Sequence, residues 1–571
     1  MKQIKTFLFW LIGIQAAQMT LLLLWLFRGK SAIYGTNDDS LIASIASGQL
    51  TGQSDPHLIF IQPLISYPIT WLEYMLPQFS GYSIFLIFCT TLSFSAVLSL
   101  LISTKQINFI NITFWTFFNL IFQSWFAINP TYTGASLFAA GAGAAFFNYA
   151  LIQRISTSNL FRNFILTNSA VFSILCYGIR KEGIYVFGVL VIPMILIYLK
   201  LIIKDYQIVK FYLIPVIIFY FFNYLLYSNL YNSDKWNEYM SLNESRHKIQ
   251  LRAPEKFIAD KLPDIEWNKE IYFMFVRFSL IDNRQMNKEK LQKILEISQE
   301  YVGPKTILQT NFSEIKPIIK EAFNPWTWIL KIQIIMILII GLSKLKDKIF
   351  KDYSKYLALQ VLMVMIFIIV LSIGYQIPER ISLNLLAALT LSLFAHTSIN
   401  QKPRIRSNLT VSISSVFLLM LFIYLALTRI SIETKAREGL YLTRQAYANQ
   451  QIESLSKLDE QVVISNGSGL KTHWKFPYIK WKTFDPRDKT IILGWHNLSP
   501  LSSEQFKIRN LNLSNYPKDI INNEVYWVDS REEIDISRDY FQQFTDKDLD
   551  YSEKGKIGND EYQFYRFLTI E

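Results

Sequence analysis

Lipid offers a spanning stretch of chain few ways to fold, because every backbone N–H and C=O within it must find a partner inside the protein. This 571-residue chain carries eleven apolar blocks of about the length that a bilayer core requires. They cover residues 7–26, 82–101, 107–126, 132–152, 164–179, 184–199, 211–230, 326–342, 356–375, 381–396 and 411–427. Each is expected to be a transmembrane helix. The fifth, sixth and tenth are short, and are expected to pack inside the bundle or to end below the surface. Lys2 and Lys5 precede the first block as they would in a signal peptide. The block is too long for one and its small-residue cleavage signals are weak, so it reads as a retained span.

The formal net charge of +12 would suit nucleic acid, but its distribution does not. Basic residues gather in alternate short loops: Lys105; Arg154 and Arg162; Lys200, Lys204 and Lys210; Lys344, Lys346, Lys348, Lys351 and Lys355; Lys402, Arg404 and Arg406. With Lys2 and Lys5 they fall on one side if every block spans. The positive-inside rule makes that side cytoplasmic, outvoting Arg28 and Lys30. The N-terminus is then expected inside and the C-terminus outside. Cys89 and Cys176 both lie within spans and imply no disulfide framework. The histidines His57, His247, His396, His473 and His496 are scattered and form no metal-binding motif.

This topology places the unusual polar residues outside. The first outer loop, 28–81, holds Thr36-Asn37-Asp38-Asp39, spaced as a capping box at a helix start. Residues 58–75 are apolar and aromatic but broken by Pro63 and Pro68. They are expected to form an interfacial helix pair, with Trp71 and Tyr74 at the headgroups. The fourth block, rich in Gly and Ala from Gly134 to Ala145, reads as a close-packing surface. The loop 231–325 is expected to form a helical cap. Beyond the last span a helix over 433–457 precedes short strands at 462–465, 490–493, 525–529 and 562–568. The turn 466–469 lacks the full dinucleotide fingerprint. The fold class is therefore an α-helical polytopic membrane protein of about eleven spans. Residues 1–429 form its bundle, and 430–571 a small extracytoplasmic α/β domain.

Three outer elements carry chemistry. Asp38 and Asp39 suit a general base for an attacking hydroxyl, or one base beside a carboxylate that binds a sugar hydroxyl or a divalent cation; helix capping is the plainer role. Arg180-Lys181-Glu182 faces outward against the charge rule, and suits either a phosphate or an Arg–Glu pair that closes a tight turn. Glu379 and Arg380 sit at the outer start of the tenth span, where Arg380 suits a leaving phosphate or a headgroup anchor. Asn243 and Arg246 lie with Trp236, Tyr239 and His247 at helical spacing, on a face that is either solvated or turned to substrate. An acid pair and basic turns beside a bilayer suit glycosyl transfer from a lipid-phosphate sugar: the acceptor needs a base, and the departing phosphate needs cations. Movement of a lipid-linked glycan across the membrane, or a non-catalytic scaffold with a partner-binding tail, are the competing readings.

The layout resembles the GT-C superfamily of integral-membrane glycosyltransferases, in its outer-loop motif Asn37-Asp38-Asp39, the interfacial segment that follows, the many spans and the outer tail. Arg180-Lys181-Glu182 and Pro378-Glu379-Arg380 add weaker support. The resemblance implies a polyprenyl-phosphate-linked sugar donor, a glycan or lipid acceptor, inversion at the anomeric carbon, and the outer face of a prokaryotic plasma membrane. By that likeness Asp38 or Asp39 is the base and Arg380 binds phosphate; Asn37, Arg180, Lys181, Glu182, Asn243, Arg246 and Glu379 are the further candidates for substrate contact read from the residues themselves. The chain has Asp-Asp where some branches have Asp-Glu, and it leaves sugar, acceptor and metal open.

Overall fold

The computed structural model describes residues 1–28, 32–104, 119, 122–153, 158–250, 259–280, 282, 285–301, 359–360, 362–363, 367, 384–385, 387–392, 439–440, 442–447, 449–451, 453–454, 462–465, 476–480, 490–513, 517–522, 525–557 and 562–569. Among them, six helices are long and apolar enough to cross a membrane: α1 (Lys2–Phe27), α4 (Gly81–Ser103), α5 (Tyr132–Ile152), α6 (Asn159–Ile179), α7 (Gly183–Ile202) and α8 (Tyr206–Leu230). They match six of the apolar blocks. The expected spans at 326–342 and 411–427 lie outside the described residues, those at 107–126 and 356–375 lie largely outside them, and that at 381–396 lies half outside them.

Several spans begin on a hydroxyl that caps the first turn. Ser80 accepts from Ser83 N, Thr131 from Gly134 N, and Ser158 from Phe161 N; each satisfies an amide that the helix itself cannot. The helix α5 is buried on all sides, as its small residues allow. At Gly141 a Cβ would come within 2.7 Å of the Ala388 backbone, so only glycine permits that approach.

Two short helices precede α4. The first, α2 (Asn37–Ser47), starts on Thr36 and stops at Gly48, whose φ of +80° suits a residue without a Cβ. The second, α3 (Pro63–Met75), is a single helix, where the sequence suggested an interfacial pair. Proline lacks an N–H and fits a first turn, so the helix starts at Pro63. The residues before it form turns, and Gln62 N donates to Gly178 O at 2.8 Å, pinning them to the end of α6. Trp71 and Tyr74 are exposed.

Bonds between loops gather the polar ends of the bundle. Asp39 reaches the start of α5, Gln62 the end of α6, and His57 Nε2 pairs with the Leu230 carbonyl at the end of α8. At the opposite end Arg162 forms a buried ion pair with Asp205 and donates to Ala150 O at 3.1 Å, joining α5 and α6 to the α7–α8 link.

The loop after α8 forms α9 (Asp234–Gln250), α10 (Lys269–Val276) and α11 (Lys288–Tyr301). The tail forms β1 (Val462–Ser465), β2 (Thr490–Ile492), α12 (Pro500–Ile508), α13 (Lys518–Asn522), β3 (Val525–Ser530), α14 (Ile534–Gln542), β4 (Leu549–Ile557) and β5 (Tyr562–Thr569). Among the described residues these strands make one sheet in the order β2-β1-β3-β5-β4. The first three strands are parallel, and β5 is antiparallel to both β3 and β4. The strand β4 has no counterpart in the sequence reading: it is polar and sits at a sheet edge, without the apolar alternation that marks a half-buried strand. The loop helices and the sheet share one apolar core, in which Trp267, Phe275, Leu291, Trp527 and Phe541 are buried. Arg277 fastens them further, pairing with Asp529 at 2.9 Å and Glu533 at 2.8 Å.

Candidate functional site

The acidic pair divides into two different environments. Asp39 is fully buried at the third position of α2. Its Oδ2 accepts from Thr36 Oγ1 at 2.6 Å, and its Oδ1 accepts from Tyr82 Oη at 2.6 Å and from Tyr132 N at 2.8 Å. Burial pushes its pKa up from 3.8 to about 6, although all three donors pull it down; the neighbouring Asp38 charge adds to the rise. Asp38 is half-buried. Asn37 opens the same helix. Asp39 thus ties the first turn of α2 to the starts of α4 and α5, and leaves Asp38 as the more accessible acid.

Arg180 reaches the same place from the α6–α7 turn. Its guanidinium lies 5.2 Å from the centre of the Tyr132 ring, donates to Thr133 Oγ1, and pairs with Glu182 at 3.2 Å. Burial alone would lower its pKa; Tyr132, Glu182 and Asp38 outweigh that and hold it above its ordinary value. The interaction with Asp38 puts acid and cation within reach of each other's charge. Lys181 and Glu182 are exposed on the same turn. The Arg–Glu pair that closes the turn is thus present, and Thr133 takes a further N–H of the same guanidinium.

Asn243 and Arg246 occupy a different position. Arg246 is buried, donates to Asn243 Oδ1 at 2.5 Å and to the Trp495 carbonyl, and lies 5.2 Å from the Phe278 ring. Tyr239 Oη donates to the same carbonyl at 2.8 Å, and Trp236 stacks on His57 at 4.4 Å. This face of α9 holds the tail and the loop between α1 and α4 together. Glu379 and Arg380 lie outside the described residues.

The structure adds residues that the sequence reading did not single out. Tyr82 and Tyr132 are the first residues of the second and fourth apolar blocks, and that position was a usable signal. Glu73, fully buried near the end of α3, accepts from Tyr82 N at 2.9 Å and from Ser80 Oγ at 3.4 Å, and lies 3.9 Å from Lys480 Nζ. Burial raises its pKa. Lys480 belongs to a tail segment, 476–480, that straps the α3–α4 link: Ser80 N donates to Tyr478 O at 3.1 Å and Lys480 N to Gln78 O at 3.0 Å. Tyr34 Oη also contacts Pro477 O at 3.2 Å. No local pattern announces these contacts between distant segments.

Among the described residues no group of three His, Cys, Asp or Glu side chains is placed to hold a metal ion. The donor set at Asp39 also fits a cation poorly, because two hydroxyls and an amide already present their hydrogens to its carboxylate.

No protein-family model matches this sequence, and no curated protein matches it. Among solved structures it is similar to two crystal structures of ArnT from Cupriavidus metallidurans, one bound to undecaprenyl phosphate and one in the apo state. Identity is 10% in both, with TM-scores of 0.37 and 0.35; the alignments cover 97% and 98% of this chain and 97% of each ArnT chain. A likeness of that degree assigns neither fold nor role.

Proposed function

We propose that this chain is a membrane glycosyltransferase that moves a sugar from a polyprenyl-phosphate donor to a hydroxyl of a surface glycan or lipid, at the outer face of a prokaryotic plasma membrane. One arrangement supports the reading: the half-buried acid Asp38 stands in the first turn of α2, which Asp39 ties to Tyr132 N, and the guanidinium of Arg180 lies over the Tyr132 ring, so acid and cation converge on the start of α5 at the polar end of an apolar bundle. In the reaction the acceptor oxygen attacks the anomeric carbon and gives its proton to Asp38. The new C–O bond forms as the bond from that carbon to the phosphate oxygen breaks. The electron pair leaves with the polyprenyl phosphate, whose charge Arg180 and Lys181 stabilise. Asp39 positions the turn that carries the base, and Glu182 orients Arg180.

The test is transfer in proteoliposomes from labelled polyprenyl-phosphate sugars. D38N is expected to lose about a hundredfold or more in rate, and R180A a comparable factor, with monodisperse, stably inserted protein in both. Full transfer by D38N would remove Asp38 from the mechanism.

A further inference from the structure

The turn between β2 and α12 carries two nitrogens that this mechanism leaves unused. Trp495 is 8% exposed, and its buried indole Nε1–H meets no acceptor among the described residues. His496 is fully buried. Its Nε2 lies 3.3 Å from Gln505 Oε1, an oxygen that only accepts, so Nε2 carries the proton and Nδ1 is left as an acceptor. That Nδ1 also lacks a partner among the described residues. Buried polar atoms are nearly always paired, so two orphans on adjacent residues call for an explanation.

The placement of the turn supplies one. The Trp495 and His496 rings meet edge to face at 6.0 Å. Trp495 packs on Phe60 at 4.7 Å, and Phe60 stacks at 5.9 Å on Tyr132, the ring beneath Arg180. At Gly494 a Cβ would sit 3.5 Å from His496 Nδ1 and 3.7 Å from Leu41 of α2, so the turn lies against the helix of the acid pair. Its backbone is held rigidly, since Tyr239 and Arg246 both donate to the Trp495 carbonyl.

A donor and an acceptor on adjacent residues, among aromatic rings, suit the hydroxyl edge and C–H face of a sugar ring. They do not suit a phosphate, whose oxygens would meet Nδ1 lone pair to lone pair. The neighbouring guanidinium of Arg246 is already engaged with a carbonyl and the Phe278 ring. We propose that Trp495 and His496 bind the sugar of the donor, Trp495 Nε1–H donating to one hydroxyl and His496 Nδ1 accepting from another. The inference rests on the glycosyl-transfer reading and gives the tail a direct part in choosing the sugar.

The experiment measures binding of bare polyprenyl phosphate, and of a panel of polyprenyl-phosphate hexoses and pentoses, to the full-length protein in nanodiscs. W495F keeps the aromatic body and removes the N–H. It is expected to weaken the best sugar-bearing lipid about five- to tenfold and to leave the bare lipid unchanged. On the wild-type protein, one monodeoxy version of that sugar is expected to lose a similar factor, which tests the contact even if W495F folds poorly. Equal affinities for wild type and W495F, no penalty for any deoxy sugar, or an equal loss for both lipids would overturn the inference while leaving the transferase reading standing. Failure of the wild type to bind any of the lipids would overturn both.

Discussion

Asp39 is held where a carboxylate is costly, and the sign of that cost is measurable. Its pKa rises from 3.8 to about 6 on folding, so the folded state favours the proton. The corresponding stability is fully present below about pH 3.8, and it is lost as pH rises through 6. D39N cannot ionise. Its unfolding free energy relative to wild type is therefore expected to improve between pH 4 and pH 7, by on the order of 3 kcal/mol at most. Denaturant unfolding at several pH values in detergent checks this; a difference that stays flat with pH would mean that Asp39 ionises freely. The sequence marked Asp38 and Asp39 as a unit. What it did not reveal was which of the two is buried, because two of the three donors that claim Asp39 come from Tyr82 and Tyr132, 43 and 93 residues away.

Among the elements, the segment 476–480 does the most to fix the α3–α4 link. Lys480 Nζ donates to the Glu73 carbonyl at 2.7 Å and lies near its buried carboxylate. Removing one partner of a buried pair costs more than removing both. K480A is expected to destabilise the strap by about 2–4 kcal/mol, and adding E73Q to recover part of that loss. Hydrogen exchange at 476–480 and 78–82 reads both outcomes. Equal exchange in K480A and wild type would show that the backbone pairing suffices alone. Elements with local signals were legible beforehand. The Thr36 cap opens α2 as expected, and β1, β2, β3 and β5 begin where the apolar runs at 462, 490, 525 and 562 begin. The single helix at Pro63 and the polar strand β4 were not legible, since one depends on a tether to Gly178 and the other on pairing with β5.

For the molecule as a whole, the tail, the loop between α1 and α4, and α9 meet at the turn that carries His496. Burial lowers its pKa from 6.5 to about 4, and the charge of Arg246 lowers it further against the hydrogen bond to Gln505. Here the sign is opposite to that of Asp39: the stability is present above about pH 6.5 and is lost as pH falls through 4. Exchange protection of residues 490–513 is expected to fall as the pH drops from 6.5 to 4 in the wild type and to change little in H496Q. An identical acid response in H496Q would place the sensitivity elsewhere. The helical bundle and the α/β tail were readable from hydropathy and strand patterning, but their junction was not, because it is written in contacts such as Tyr34 to Pro477, 443 positions apart. That separation has a consequence for biosynthesis. A ribosome that has finished the acid pair has hundreds of codons still to read before the strap and the Trp495 turn exist. The half-made protein therefore lacks the parts that hold the α3–α4 link and pack against α2, and those contacts wait on the completion of translation.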